Sequence, residues 1–174
     1  MRIIVKVALV SLSILLALAA CTGPSSQVAA PPFTLTDIKG NQISLSDFKG
    51  QKAVMLIFFN YRIGTGQDPM IQSYLGYYPQ TDKLQVLSIM NRGNLPDEMK
   101  QYMAGQAQQS LGGLGFATPL RDEDGSVSQA FGANPDKLTV VLVDRDGNIR
   151  FHQEIDATAD VNTELARQVG ELTK

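Results

Sequence analysis

Ala53-Val54-Met55-Leu56-Ile57-Phe58-Phe59 is an unbroken apolar run. It is too short for a typical buried helix and rich in strand formers, so it predicts a central strand covered on both faces. Leu84 to Met90 and Leu138 to Val143 predict a second and a third buried strand. Between them lie stretches with helical spacing. Pro69 suits a first helical turn, and Met70, Ile71, Tyr74, Leu75 and Tyr78 follow on one face. Pro96-Asp97-Glu98 opens another helix, with Met99, Tyr102 and Met103 on one side. Buried strands separated by helices imply a parallel core with right-handed crossovers.

The remaining signals fill in the ends. Phe33 to Leu35 and Gln42 to Leu45 alternate around a turn at Gly40, which predicts a hairpin. Ser46-Asp47-Phe48-Lys49-Gly50 reads as a capped short turn stopped by glycine. Asn60 to Asp68 and Gly112 to Gly115 read as loops, and Ser126 to Phe131 as a short helix after the Asp124-Gly125 turn. Asp144-Arg145-Asp146-Gly147-Asn148 turns the third strand into Ile149 to His152, an antiparallel pair closing one edge. Val161, Leu165, Val169 and Leu172 form the stripe of a terminal helix. No internal repeat is visible.

The first residues carry a different signal. Arg2 and Lys6 precede an apolar stretch from Val7 to Ala20. A membrane span needs about 20 apolar residues, so the stretch reads as an export leader, residues 1–20. Leu18-Ala19-Ala20-Cys21 ends it, and Cys21 is the only cysteine among the 174 residues. This tetrapeptide resembles the lipobox of bacterial lipoproteins, which implies a lipid on the Cys21 sulfur and a chain cut just before it. Thr22 follows where an aspartate tends to retain such proteins in the inner membrane, so the resemblance leans toward the outer membrane, facing the periplasm. Residues 21–32 read as the lipidated, flexible tether, and 33–174 as one domain. Removing Arg2 and Lys6 from 15 basic residues leaves 13 against 17 acidic, so the mature charge is near -4. No basic stripe points to nucleic acid. With one cysteine, no intramolecular disulfide can form.

Three phrases carry a family resemblance: Phe33-Thr34-Leu35-Thr36-Asp37 with Ile43 to Gly50; Val54 to Phe59; and Leu120 to Gly125 with Phe131-Gly132 and Val140 to Gly147. Their order and spacing resemble the thioredoxin-like superfamily, in its redoxin, peroxiredoxin-related (AhpC/TSA, TlpA-like) and SCO-type branches. The resemblance implies an α/β three-layer sandwich: a central mixed sheet, helices on both faces and an N-terminal β-hairpin. It also places the family's chemistry on the loop after the first long strand, where a helix N-terminus activates a thiol.

That loop reads Asn60-Tyr61-Arg62-Ile63-Gly64-Thr65-Gly66-Gln67-Asp68-Pro69. A Cys-x-x-Cys pair aligns near Ile63 and Gly66, and an SCO-like pair at Gly64 and Asp68 with Pro69 retained. Neither register contains a thiol. The family's cis-proline aligns with Leu138, with Pro135 three residues too early, and an SCO-type copper histidine aligns near Asp136-Lys137. Thiol peroxidase or dithiol chemistry needs a thiolate, which this domain does not supply. His152, on an edge strand, reads as a surface residue rather than a ligand, and the methionines sit at core spacing. Arg62 and Thr65 lie in a loop that offers backbone N–H groups to an anion, against the plainer reading of a relaxed loop. The clusters Asp122-Glu123-Asp124 and Asp144/Asp146 read as solvated turns; a calcium site needs a longer ligand loop.

The expectation is an envelope lipoprotein whose domain has lost the redox site and serves as a binding or accessory module. It would use no cofactor or metal, a membrane through its lipid, an envelope protein partner and no nucleic acid. A docking cleft is expected where the loop after the first long strand meets Leu138. The competing readings are a redoxin-type oxidoreductase or antioxidant and an SCO-like metallochaperone.

Overall fold

The structure is a computed structural model and describes residues 28–60, 78–102, 117–155 and 163–174. Its strands are β1 (Val28–Ala29), β2 (Thr34–Asp37), β3 (Gln42–Ser44), β4 (Ala53–Asn60), β5 (Leu84–Asn91), β6 (Thr118–Asp122), β7 (Leu138–Val143) and β8 (Asn148–Ile155). The helices α1 (Ser126–Ala130) and α2 (Thr163–Leu172) and a 3-10 turn at Leu45–Phe48 complete the described elements, with a helical stretch over 97–102. All eight strands form one mixed sheet in the order β1-β8-β7-β4-β5-β6-β2-β3.

The three apolar runs become β4, β5 and β7, at the centre of this sheet. Each is buried on both faces, and alternation sorts its side chains into two cores. Ala53, Met55 and Ile57 join Val86, Leu138, Val140 and Leu142 on one face. Leu165 and Val169 of α2 cover that face. Val54, Leu56 and Phe58 join Leu87, Ile89 and Val141 on the other. There Phe33, Leu35 and Phe131 close the second layer, with Phe131 edge-on to Phe33 at 6.0 Å and tilted against Phe58 at 5.2 Å.

Four expectations are corrected. First, the parallel core is β4-β5-β6, and β7 runs antiparallel to β4, with Leu56 opposite Val141. A run buried on both faces carries no mark of its direction. Second, Thr118–Asp122 is a strand, although Pro119 and the acidic end disguise it. It pairs parallel with β5 and antiparallel with β2, whose pairs fall on Leu120 and Arg121 and leave the N–H-less Pro119 outside that ladder. Third, the short turn begins at Ser44 rather than Ser46, because the Asp47 carboxylate reaches back to accept the Ser44 N–H at 2.8 Å. Fourth, the end of the expected tether belongs to the sheet. Val28 lies opposite Ile149 and Ala29 opposite Asn148, and Ala30 N–H donates to the Gly147 carbonyl at 2.9 Å.

Other expectations stand in the structure. The hairpin pairs Leu35 with Ile43. The second hairpin turns where Gly147 N–H donates to Asp144 O at 3.0 Å, Gly147 having φ 90. Its strand runs on to Ile155, with an irregularity at Leu142/Val143 that leaves Arg150 as the extra residue. Val161, the loop at 112–115 and the helical stripe from Met70 to Leu75 lie outside the described residues. No described helix is long and apolar enough to cross a membrane.

Candidate functional site

The C-terminal ends of β4 and β5 and the turn before β7 meet at one end of the sheet. Phe58, Phe59, Asn60, Asn91, Ser128 and Asn134-Pro135 surround a shallow hollow there, of about 170 Å³ including space open to solvent. This is below the roughly 300–1,000 Å³ of a small-molecule pocket. The Asn60 side-chain amide donates to the Pro135 carbonyl and ties β4 to this turn. Asn134 Oδ1 accepts from Asp136 N–H at 2.9 Å, and Asn134 N–H donates to the fully buried Thr139 hydroxyl at 3.2 Å. The turn is therefore braced by its own polar groups.

Behind the hollow, the end of β6 is held as firmly. Asp122 is fully buried and its carboxylate accepts from Ser128 N–H and Ser128 Oγ, both at 2.7 Å. Asp124 accepts from Ser126 N–H at 3.0 Å. Bonding to the Ser126 side chain, then to its N–H, holds the Asp124 carboxyl below its usual range. Both carboxylates thus saturate the first N–H groups of α1. The packing between β5 and this turn leaves no room: a Cβ on Gly93 would sit 2.4 Å from the Asp124 carbonyl oxygen, and one on Gly125 2.9 Å from Asn91 Oδ1.

Sequence reasoning missed Arg92. It is 4% exposed at the end of β5, donates to Glu123 Oε1 at 2.8 Å and reaches the Lys100 carbonyl at 2.5 Å. Its Nε has no hydrogen-bond partner. It clamps β5, the helical stretch 97–102 and β6 together. An isolated arginine after a strand gives no periodic signal, so only the tertiary contacts reveal it.

The residues singled out in the sequence separate into three groups. Cys21, Arg62, Ile63, Gly64, Thr65, Gly66, Asp68 and Pro69 lie outside the described residues. Leu138 is described, and the expectation that it lines an exposed cleft is corrected: it is fully buried in the core, paired with Ile155. A leucine at the start of a central strand gains more from burial than from contact with solvent. Pro135, set aside as too early, is the proline beside β4 in space, and no peptide bond among the described residues is cis. Lys137 pairs with Glu154 at 3.5 Å, and His152 is exposed on β8 opposite Val141.

The described part of the site can hold and brace a loop, and it contains no cysteine thiol. Its amides and carboxylates are engaged in caps and turns. Among the described residues no group of three or more His, Cys, Asp or Glu side chains could hold a metal ion.

The comparisons with known proteins agree with this architecture. Residues 27–152 match the AhpC/TSA family. No curated protein matches. The fold is similar to the pneumococcal exposed lipoprotein thioredoxin of Streptococcus pneumoniae, with a TM-score of 0.61 and 19% identity over 82% of this chain and 100% of that one. It is also similar to a putative thiol:disulfide interchange protein DsbE of Chlorobium tepidum (TM-score 0.57, 20% identity, 85% and 97% covered). A reduced 2-Cys peroxiredoxin of Plasmodium vivax gives a TM-score of 0.59 at 18% identity, covering 82% and 93%. At these identities the likeness establishes a thioredoxin-like fold.

Proposed function

The chain belongs to the AhpC/TSA family, and on that premise we propose that it is a lipid-anchored envelope protein whose thioredoxin-like domain carries no redox chemistry of its own. One observation carries the reading: from Thr22 to Lys174 there is no cysteine. Peroxide reduction and dithiol exchange both require a thiolate that attacks and becomes oxidised. The only thiol, Cys21, stands at the end of an export leader, where acylation caps it. The similarity to an exposed lipoprotein thioredoxin supports an anchored thioredoxin-like domain as a working arrangement. The anchor places the domain at the outer membrane, facing the periplasm. The braced end of the sheet, with Asn60, Asn134 and Pro135, serves as a contact surface for an envelope protein.

Insulin reduction and peroxide consumption by the full-length protein in detergent test the redox part. The expected rates equal those of buffer with reductant. Turnover above that background, abolished by thiol alkylation, would restore the oxidoreductase reading. The anchor is tested by labelled palmitate, which is expected to enter the wild type and not Cys21→Ala; equal labelling would contradict it.

A further inference from the structure

We propose that Arg92 and Arg121 form a cradle for a carboxylate group, which Glu123 occupies in this structure and which an acidic ligand takes over by displacing it. The site is independent of the anchor at Cys21. It lies at the ends of β5 and β6, one residue from Asn91 and Asp122. Both guanidiniums are held by backbone. Arg92 Nη2 donates to the Lys100 carbonyl at 2.5 Å, and Arg121 Nη2 donates to the Asp37 carbonyl at 3.1 Å. Lys100 Nζ donates to the Glu123 carbonyl at 3.3 Å, which adds a third cation and fixes the backbone from which the Glu123 side chain starts.

Glu123 fills this cradle incompletely. Its Oε1 accepts from Arg92 Nη1 at 2.8 Å but stands 3.8 Å from Arg121 Nε, too far for a hydrogen bond. Arg121 Nε is buried and has no other partner. One carboxylate oxygen thus serves two arginines, while the Glu123 side chain is 53% exposed. A buried donor left unpaired is costly. A carboxylate that places one oxygen on Arg92 Nη1 and the other on Arg121 Nε removes that cost, which the resident side chain does not. Neighbouring acids are otherwise engaged. Asp37 accepts the N–H groups of Lys39 and Asn41, Asp122 that of Ser128, and Asp124 that of Ser126. Among the described residues, Glu123 is the one acid within ion-pair distance of either arginine. Selection for a carboxylate therefore comes from two fixed, convergent donors and not from an excess of positive charge.

Chemical rescue tests the cradle in the full-length protein. Thermal unfolding is followed for the wild type, Glu123→Ala, Glu123→Gln and Glu123→Gln/Arg121→Gln. Each is measured in about 0.1 M sodium acetate and in sodium chloride of equal ionic strength, so that screening is the same. Glu123→Ala empties the cradle. It is expected to melt below the wild type in chloride and to gain about 3 °C in acetate, against less than about 1 °C for the wild type. Glu123→Gln leaves Arg92 a neutral acceptor, which safeguards folding, and is expected to gain an intermediate amount. The double variant is expected to gain no more than the wild type. A capped tripeptide containing glutamate replaces acetate in a parallel arm, and the larger gain assigns the ligand to a polypeptide side chain or to a small carboxylate. Gains in Glu123→Ala and Glu123→Gln no larger than in the wild type, with both probes, would overturn the cradle. A gain that survives Arg121→Gln would also overturn it, as a general effect of acetate.

Discussion

Asp122 shows how much a single side chain settles in this fold. It ends β6, is fully buried, and its carboxylate takes the N–H and hydroxyl of Ser128. Asp122→Ala strands those donors, and we expect a loss of about 2 kcal/mol in urea unfolding, with Asp122→Asn losing less. Gly93 is fixed by space rather than charge. A methyl group there meets the Asp124 backbone at 2.4 Å, so Gly93→Ala should cost about 1–3 kcal/mol, whereas the exposed Gly170 tolerates alanine. Asp37 predicts a pH effect. Burial disfavours its ionised form, but the Asn41 side chain and the N–H groups of Asn41, Lys39 and Gly40 outweigh that, and its carboxyl titrates below the ordinary value. A lowered folded pKa contributes stability above the unfolded value near 3.8, and that stability is lost as pH falls through the folded value. Stability measured from pH 6 down to pH 2 should therefore decline less steeply in Asp37→Asn than in the wild type.

At the scale of elements, packing and surface charge contribute unequally. Leu165 of α2 is fully buried against the β4-β7 face, and Leu165→Ala should lose about 2–5 kcal/mol in thermal or chemical unfolding. On the outer side of the same helix, Arg167 bonds Glu164 and Glu171, which holds the Glu164 carboxyl down at about 2. That network is exposed and screened by salt, so Arg167→Ala should leave the melting temperature nearly unchanged. The same contrast explains what was legible in the chain. The apolar runs of β4, β5 and β7 and the stripe of α2 announce themselves because burial selects them residue by residue. The direction of β7 does not, because a strand buried on both faces has the same pattern either way. β6 was hidden by Pro119, a residue acceptable only because β2 pairs beyond it. Arg92 was hidden because its partners, Glu123 and the Lys100 carbonyl, come from other elements.

Across the whole molecule, the family resemblance was readable from spaced phrases between Phe33 and Gly147, and the match over 27–152 covers the same ground and begins earlier. The earlier start has a physical basis, since Val28 and Ala29 pair with β8. The candidate site was less legible. Leu138 aligned with the family's proline but serves the core, and Pro135 occupies the place beside Asn60. Sequence spacing alone could not show that a shifted proline still meets the end of β4. What the chain does show without ambiguity is where its one sulfhydryl lies. The state of that group separates an anchored, redox-inactive protein from a thiol enzyme, and intact mass spectrometry of the protein extracted from membranes reads it directly. The predicted result is a mature chain beginning at Cys21, carrying a diacylglyceryl group and an N-terminal acyl chain, with no thiol left to alkylate. A chain that retains residues 1–20, or one with a free Cys21 thiol, would contradict it.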